Sequence, residues 1–591
     1  MAAHVSGTEP GMRQLNGPQT TGRSYSNFSR PAFTMTTQRD VSVTLRDGGH
    51  LMADVRRPDS PDRFPALIAA SPYPRQIQDL GAPLGFVESG ASDFFVPRGY
   101  AHVIANLRST GGSSGTFGFF DAQERQDMYD LVEWTAAQPW CDGNVGMIGI
   151  SYFAMTQLEA AVEQPPHLKA IFPMAVTPDL YEAAYHNGLL NSTFMGPFLA
   201  AMGVTSNKSE EFWHGPLLKA VRTVLAQPRL HAHFAHMNGE AAASGLKTVL
   251  RGEYHSDPWD TLWNEIAVEH QVRDDFWDER NVLPLLANVT IPVYLGCDWQ
   301  NVPLHLPGTF TAWEALSHNP HVRMGLLGDF GLTWPWESLH EEALAWFDQH
   351  LKGKETGILD GDPIRFLLPG TNEWRTLASW PPPEAVHRTL HLTADGALTE
   401  GAHPAPDGGS RQYLTAGGDL GRPTHVNPPS LPSFLTWETP QLTEALTVVG
   451  EMELVLEASI TANDTSWIVL LQDVAPDGST TEVTAGFLRA SLRQVDGAAS
   501  RPGAPVLPLR SPELVPAAER VTYRIPLVPN ARLYAAGHRV RLLVTSDDQN
   551  PAIPAIMGFR HPPSGTRSVT TVFSNSHLLL PILPELPATS P

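Results

Sequence analysis

Gly143–Gln157, GNVGMIGISYFAMTQ, ends an apolar run on Gly-Ile-Ser-Tyr-Phe and passes into a helix-like pattern. A serine at the apex of a sharp strand-to-helix turn is a nucleophile elbow. A serine at a strand end that does no chemistry is the commoner outcome of so loose a match. The elbow pattern asks for glycine two residues after the serine, where this chain has Phe153. A serine hydroxyl is a poor nucleophile at neutral pH, so Ser151 needs a base, usually histidine, and an acid to orient it. In elbow enzymes the order along the chain is serine, acid, histidine. Asp298 follows the run IPVYLGC, and His340 follows HVRMGLLG near the start of a helix, so the order is met. Singly, Asp298 reads as well as a turn carboxylate, and His340 as a helix-surface or partly buried histidine. Order and topology together favour chemistry. An acyl-transfer site also needs donors for the oxyanion. The Tyr152 backbone N–H is the expected first donor. The Tyr73 phenol, in SPYPRQ, is a candidate second, although Tyr73 alone reads as a packing residue.

These residues need elements to place them. FPALIAASPY and YAHVIANLRSTGGSSG are short buried runs that end in turns. DAQERQDMYDLVEWTAAQPW opens with Asp121 and Glu124, a capping-box pair. Met128, Leu131, Val132 and Thr135 then keep helical spacing. NVGMIGI and LKAIFPMAV follow as strands, so strands alternate with helices around a parallel sheet covered on both faces. From 178 to 284 the pattern changes to helices rich in His, Trp and acids, such as GPLLKAVRTVLAQPRLHAHFAHM and DPWDTLWNEIAVEHQVRDDFWDE. IPVYLGCD and HVRMGLLGDF resume the strands, and ESLHEEALAWFDQHLKG closes the half as a helix that Gly353 stops. Beyond 356 short alternating runs dominate, and Asp477–Gly478 marks a tight turn. The expected division is a flexible tail over 1–34, an α/β domain over 35–177 and 285–355, a helical cap over 178–284, and a β-sandwich or jelly roll over 356–591.

The length of 591 residues calls for two to four domains. A net charge of −22 repels phosphate backbones and argues against nucleic acid as a partner. No run approaches the about 18 apolar residues of a membrane span. Two cysteines, Cys141 and Cys297, exclude a disulfide framework and have no metal-ligand spacing. The first residues have no apolar leader core, so a cytoplasmic home is expected.

The chain resembles the cocaine esterase and X-prolyl dipeptidyl peptidase family of serine hydrolases over nearly everything after residue 40. LRDGGHLMADVRRP resembles its opening hairpin, SPYPR its oxyanion-tyrosine loop, and NLRSTGGSSGTF its Arg-Gly-x-Gly-x-Ser-x-Gly segment, with Ser109 where glycine is usual. The most specific match is DLVEWTAAQPWCDGNVGMIGISYFAMTQLEAA, in which Ser-Tyr is followed by any residue and a small one, here Phe153 and Ala154. NDTSWIVLLQDVAPDGSTTEVTAGFLRAS resembles the family's jelly-roll signature. The resemblance implies an α/β-hydrolase domain with a helical cap insertion, plus a C-terminal all-β jelly roll. It implies hydrolysis of a small ester or amide without metal or organic cofactor. Ser151 would be the nucleophile, and Tyr73 with the Tyr152 N–H the oxyanion hole. Family members often self-associate, so a homo-oligomer is an expectation.

Two positions depart from the family. Its acid usually lies in Gly-Trp-x-Asp, whereas GCDWQN puts Asp298 two after Gly296 and Trp299 in the usual place. Its base usually lies in Gly-Pro-Trp-x-His, whereas GDFGLTW has Leu332 there and no histidine follows until His340. The favoured expectation is a triad of Ser151, Asp298 and a displaced His340. His305, on the loop system of Asp298, and His321, at the wrong end of its strand, are weaker substitutes. A lost base would leave a non-catalytic binding protein, and an alcohol or amine in place of water an acyltransferase. For an X-prolyl peptidase, Asp257, Asp260, Glu265 and Asp274 to Glu279 offer acidity for a substrate ammonium, although acidic helices usually mark a solvated face. Trp374, Trp437 and Trp467 raise a sugar-binding reading of the jelly roll, against which packing is the stronger one.

Overall fold

Apolar runs of six to ten residues, too short for helices and rich in β-branched side chains, form the middle of the first sheet. The computed structural model describes residues 14–79, 86–206, 258–329, 331–401, 409–415, 431–554, 559–562 and 566–584. The strands are β1 (Met35–Thr44), β2 (His50–Pro58), β3 (Phe64–Ser71), β4 (Ala101–Asn106), β5 (Cys141–Ile150) and β6 (Leu168–Met174). A separate hairpin, β7 (Tyr185–His186) and β8 (Leu189–Leu190), precedes β9 (Val293–Asp298), β10 (Val322–Leu327), β11 (Ile364–Leu367) and β12 (Trp374–Leu377). The sheet order is β1-β2-β4-β3-β5-β6-β9-β10-β11-β12. The run from β4 to β11 is parallel, with antiparallel edges. Helices cover both faces, so the central strands are buried on both sides. Loops at the carboxyl ends of β3, β5, β6 and β9 therefore converge on one rim, where ligands of such sheets bind.

The expected helix starts and stops are met. Asp121 accepts from the Glu124 N–H at 2.8 Å, and the Glu124 carboxylate accepts in turn from the Phe120 N–H at 3.1 Å. Gly353, at φ 64°, ends the helix His340–Lys352. A side chain at Gly146 on β5 would meet Phe347 of that helix at 2.8 Å, so glycine permits their close packing.

Three expectations are corrected. Residues 14–34 are not a free tail. Thr21 gives its N–H and hydroxyl to Glu342, both at 2.9 Å, and Ser29 gives both to Asp348 at 2.6 and 2.7 Å. Polar composition suggested disorder, but these small side chains fit two buried carboxylates. Strands β11 and β12 extend the first sheet, so the α/β layer runs past 356. The stretch from Pro258 to Glu279 is not one helix. It forms Trp259–Asn264, a wider π-type turn, and Asp275–Glu279. His270 breaks it by bonding Glu265 at 2.8 Å and Asp274 at 2.6 Å, and Asp274 caps the second piece. GPLLKAVRTVLAQPRLHAHFAHM lies outside the described residues, as does Asp257.

Beyond β12 the described residues form an eleven-stranded antiparallel sheet folded as a jelly roll around its own core, with a separate hairpin of Asp496–Arg501 and Ala504–Val506. Leu446–Ile460 is its longest strand and pairs with Val521–Tyr534, Ser568–Phe573 and His577–Ile582. Trp437 and Trp467 are buried in that core, which accounts for them as packing. No helix among the described residues is long and apolar enough to cross a membrane.

Asp348 anchors the N-terminal strap, since it accepts from Ser29 and from the Tyr100 phenol at 2.7 Å, with the Lys352 ammonium 3.4 Å away. Asp348→Ala strands these donors in the interior. It should lower unfolding free energy by about 3–5 kcal/mol, read as a lower urea midpoint.

Candidate active site

The turn from β5 into the helix Tyr152–Glu163 holds Ser151 at φ 60°, ψ −122°, a strained conformation for a side chain with a Cβ. The Ser151 N–H donates to the Met174 carbonyl of β6 at 3.0 Å, and its carbonyl accepts from Ala154 and Met155. The steric demand of the elbow falls on Gly149, at φ +141°. A Cβ there would lie 2.3 Å from the Phe153 Cβ. Glycine before the serine thus makes room for phenylalanine after it. Ala154 is buried, but the tight approach is between Gly149 and Phe153.

The imidazole at Ser151 belongs to His305. Its Nε2 lies 3.1 Å from Ser151 Oγ, and its Nδ1 lies 2.8 Å from Thr177 Oγ1. The Thr177 hydroxyl donates to the Leu304 carbonyl at 3.0 Å, so it accepts from the His305 Nδ1–H. Nε2 is left with its lone pair toward the Ser151 hydroxyl. Burial pushes the His305 pKa down to about 3, so the ring is neutral. The Asn301 side chain accepts the His305 N–H at 3.1 Å and fixes the ring at the start of the helix Leu306–Ala315.

His340 is placed elsewhere. It is fully buried among Phe94, Phe95 and Trp336. Its Nε2 accepts the Ala91 N–H at 2.9 Å, and its Nδ1 donates to the Ser338 carbonyl at 3.1 Å. Both ring nitrogens are thus engaged, one with the Ala91 N–H and the other with the turn before its own helix. His321 is exposed at the amino end of β10. Asp298 ends β9 on the expected rim but points to the Leu332 N–H, 3.3 Å from its Oδ2. Its Oδ1 has no hydrogen-bond partner among the described residues. Burial, with the Asp329 charge added, pushes its pKa up to about 7. Nδ1 of the His305 imidazole faces threonine, and the acid faces leucine.

Tyr73 follows β3, and its phenol has the Ser151 side chain as a polar neighbour. Burial keeps the phenol protonated. Its ring packs on Phe86 at 4.6 Å and on Phe153 and Phe198 at 5.8 and 6.4 Å, giving the site an aromatic lining. The Tyr152 N–H opens the helix, where no intrahelical acceptor exists for it. The Tyr152 phenol donates to Glu124 at 2.9 Å. Glu159, one helical face along, is also buried and interacts with Glu124. Burial and the Asp121 charge push Glu124 up to about 8, and burial with Glu124 raises Glu159 well above its usual range.

Sequence reasoning ranked His305 low and missed Thr177, Glu88, Glu124 and Glu159. Glu88 is buried, its N–H bonds the Gln78 side chain at 2.9 Å, and its carbonyl accepts from Ile150 at 3.2 Å, next to the nucleophile. Its charge acts on the Tyr73 phenol, and burial raises its own pKa well above the usual range. Four of the cap acids have partners: Glu265 and Asp274 hold His270, Asp278 pairs with Arg510, and Glu279 with Arg280.

Residues 47–328 match the family model described as X-Pro dipeptidyl-peptidase (S15 family). Residues 357–568 match X-Pro dipeptidyl-peptidase C-terminal non-catalytic domain. The cocaine esterase of Rhodococcus sp. (strain MB1 Bresler) is 27% identical over 606 residues, covering 92% of this chain and 98% of its own. The crystal structure of a CocE/NonD family hydrolase from Staphylococcus aureus superposes with a TM-score of 0.72 at 21% identity, covering 93% of this chain and 94% of its own. An aminopeptidase from a marine sediment Thaumarchaeota archaeon superposes with a TM-score of 0.68 at 21% identity, covering 95% and 98%.

The Glu124–Glu159 pair makes the oxyanion side of the site pH-sensitive. The folded chain keeps protons that the unfolded chain releases above 4.5, so stability falls as pH rises toward about 8. Glu159→Gln keeps a donor toward Glu124 and removes one acid. The drop in melting temperature from about pH 5 to about pH 9 should then be smaller than in the parent, measured by thermal unfolding across that range.

Proposed function

Because the chain belongs to the cocaine esterase and X-Pro dipeptidyl-peptidase family of α/β serine hydrolases, we propose that its cleavage of ester or amide bonds runs on Ser151 as nucleophile and His305 as base. Ser151 Oγ attacks the carbonyl carbon while its proton passes to His305 Nε2. Negative charge developing on the carbonyl oxygen meets the Tyr152 N–H and the Tyr73 phenol, donors already in place. His305 then gives the proton to the leaving alkoxide or amine, and the acyl-enzyme forms. Water, deprotonated by the same nitrogen, releases the acid. The 3.1 Å approach of His305 to Ser151, with Nδ1 bound to Thr177, is the observation that carries this reading.

Thr177 offers a dipole where a carboxylate is usual. It fixes the tautomer but lends little charge to the imidazolium. Burial makes that cation costly by roughly 5 kcal/mol relative to water. The adjacent oxyanion offsets part of this, so base and oxyanion hole must act together. Asp298 has a supporting role at the Leu332 turn. Two buried unpaired thiols, Cys141 and Cys297, suit a reducing compartment such as the cytoplasm.

Glu88 bears on the substrate. An ionised carboxylate beside the oxyanion hole opposes the charge that forms there. Its proton, or a cation brought by the substrate, removes that conflict. An acyl group that carries an ammonium near the scissile carbonyl, in an otherwise apolar chain, fits both Glu88 and the aromatic lining.

A fluorophosphonate should add once, at Ser151, by mass spectrometry of the folded chain. His305→Ala should abolish the adduct, while folded His340→Ala keeps it; the reverse pattern would refute His305 as base. For Glu88, the comparison is kcat/KM for matched esters with and without an α-ammonium. Glu88→Gln should lower the ratio about 10-fold or more, the worth of a buried charge-assisted bond, and an unchanged ratio would remove Glu88 from recognition.

A further inference from the structure

Far from Ser151 in sequence, three buried groups form a continuous chain. His186 of β7 places Nδ1 2.7 Å from His561 Nε2, and His561 Nδ1 lies 2.8 Å from Asp548 Oδ2. The His561 N–H also donates to Asp548 at 3.1 Å. Exposures are 8%, 2% and 6%, so water does not screen them. Phe487 packs on both rings, at 5.0 and 4.8 Å. Asp548 and His561 belong to the β domain and His186 to the cap region, so the chain crosses a domain boundary.

Its far end meets the base loop. Pro303 shares the wall of a cavity of about 540 Å³ with His186 and Phe487, and borders a second hollow with His561 and Asp548. His186 lies beside Pro303 in that wall, and its Nε2 makes no hydrogen bond among the described residues. Pro303 precedes Leu304, whose carbonyl takes the Thr177 hydroxyl, and His305 itself. The segment is thus gripped by Thr177 on one side and faced by His186 on the other.

One proton lies between His186 Nδ1 and His561 Nε2, and Asp548 accepts from His561 Nδ1, so the three side chains are held as one unit across the domain boundary. We propose that Asp548, His561 and His186 form a positioning relay by which the β domain holds the Pro303–His305 segment, and with it the base, in place. This rests on His305 being the base.

The test is steady-state kinetics on p-nitrophenyl butyrate together with the rate of fluorophosphonate labelling of Ser151. Asp548→Asn keeps the shape and removes the charge, and His561→Gln cuts the link to Asp548. Both should lower kcat and the labelling rate about 10-fold or more with KM nearly unchanged, as expected for a displaced reacting group. Asp548→Glu should recover part of the loss. His186→Asn, which alters only the end facing Pro303, should reproduce it and stands in if Asp548→Asn does not fold. Asn187→Ala breaks a different bond between hairpin and β domain, the 3.0 Å contact to the Phe487 carbonyl, and should leave kcat near the parent value. Parent-like kcat in folded Asp548→Asn and His186→Asn would overturn the relay. An equal fall in Asn187→Ala would reduce it to domain docking. Undiminished labelling in His305→Ala would instead overturn the base assignment on which the relay rests.

Discussion

A serine fixed at φ 60° on the end of a buried strand cannot travel to find its base. The base must be delivered to it, and the loops at the carboxyl ends of the sheet are the only carriers at hand. That constraint orders the rest of the molecule. The β6 loop brings Thr177, the β9 loop brings His305, and the β3 loop brings Tyr73. The cap and the β domain close around these loops, so residues remote from the chemistry can still bear on it.

Much of this was legible in the chain. Strands β3 to β6 and β9 to β10 announce themselves as short apolar runs, and Asp121 and Gly353 mark helix ends in the usual way. Ser151 and Tyr73 were singled out by a Gly-x-Ser step and by the loop SPYPRQ, and each lies just after a strand, β5 and β3. The imidazole that meets Ser151 was not the one the chain order put first, for a physical reason. Order along the chain put His340 after β10, but side-chain direction is set by packing, and Trp336, Phe94 and Phe95 turn that ring to Ala91. His305 stands seven residues after Asp298, just before a helix whose first position is Leu306. A histidine at a helix start on the correct rim was the available signal. Thr177 carried none, since one hydroxyl after a strand is common. The strap over 14–34 was misread because composition reports the mean polarity of a segment and not the two buried carboxylates that await it.

The site departs from a charged triad in a consistent way. A neutral imidazole rests on a threonine, a buried phenol stays protonated, and the nearby acids Glu88, Glu124 and Asp298 are all raised by burial. Formal charge has been kept away from the reacting atoms. Among groups so buried, any charge that does form is felt strongly by whatever dipoles are already aimed at it.

Asp298 and His305 ride on the same loop system yet answer to different neighbours. The carboxyl faces the Leu332 N–H, and the imidazole faces Thr177. The ring at Ser151 is thus tied to the segment after β6, and the acid to the segment after β10, so the two can shift independently while the elbow stays put.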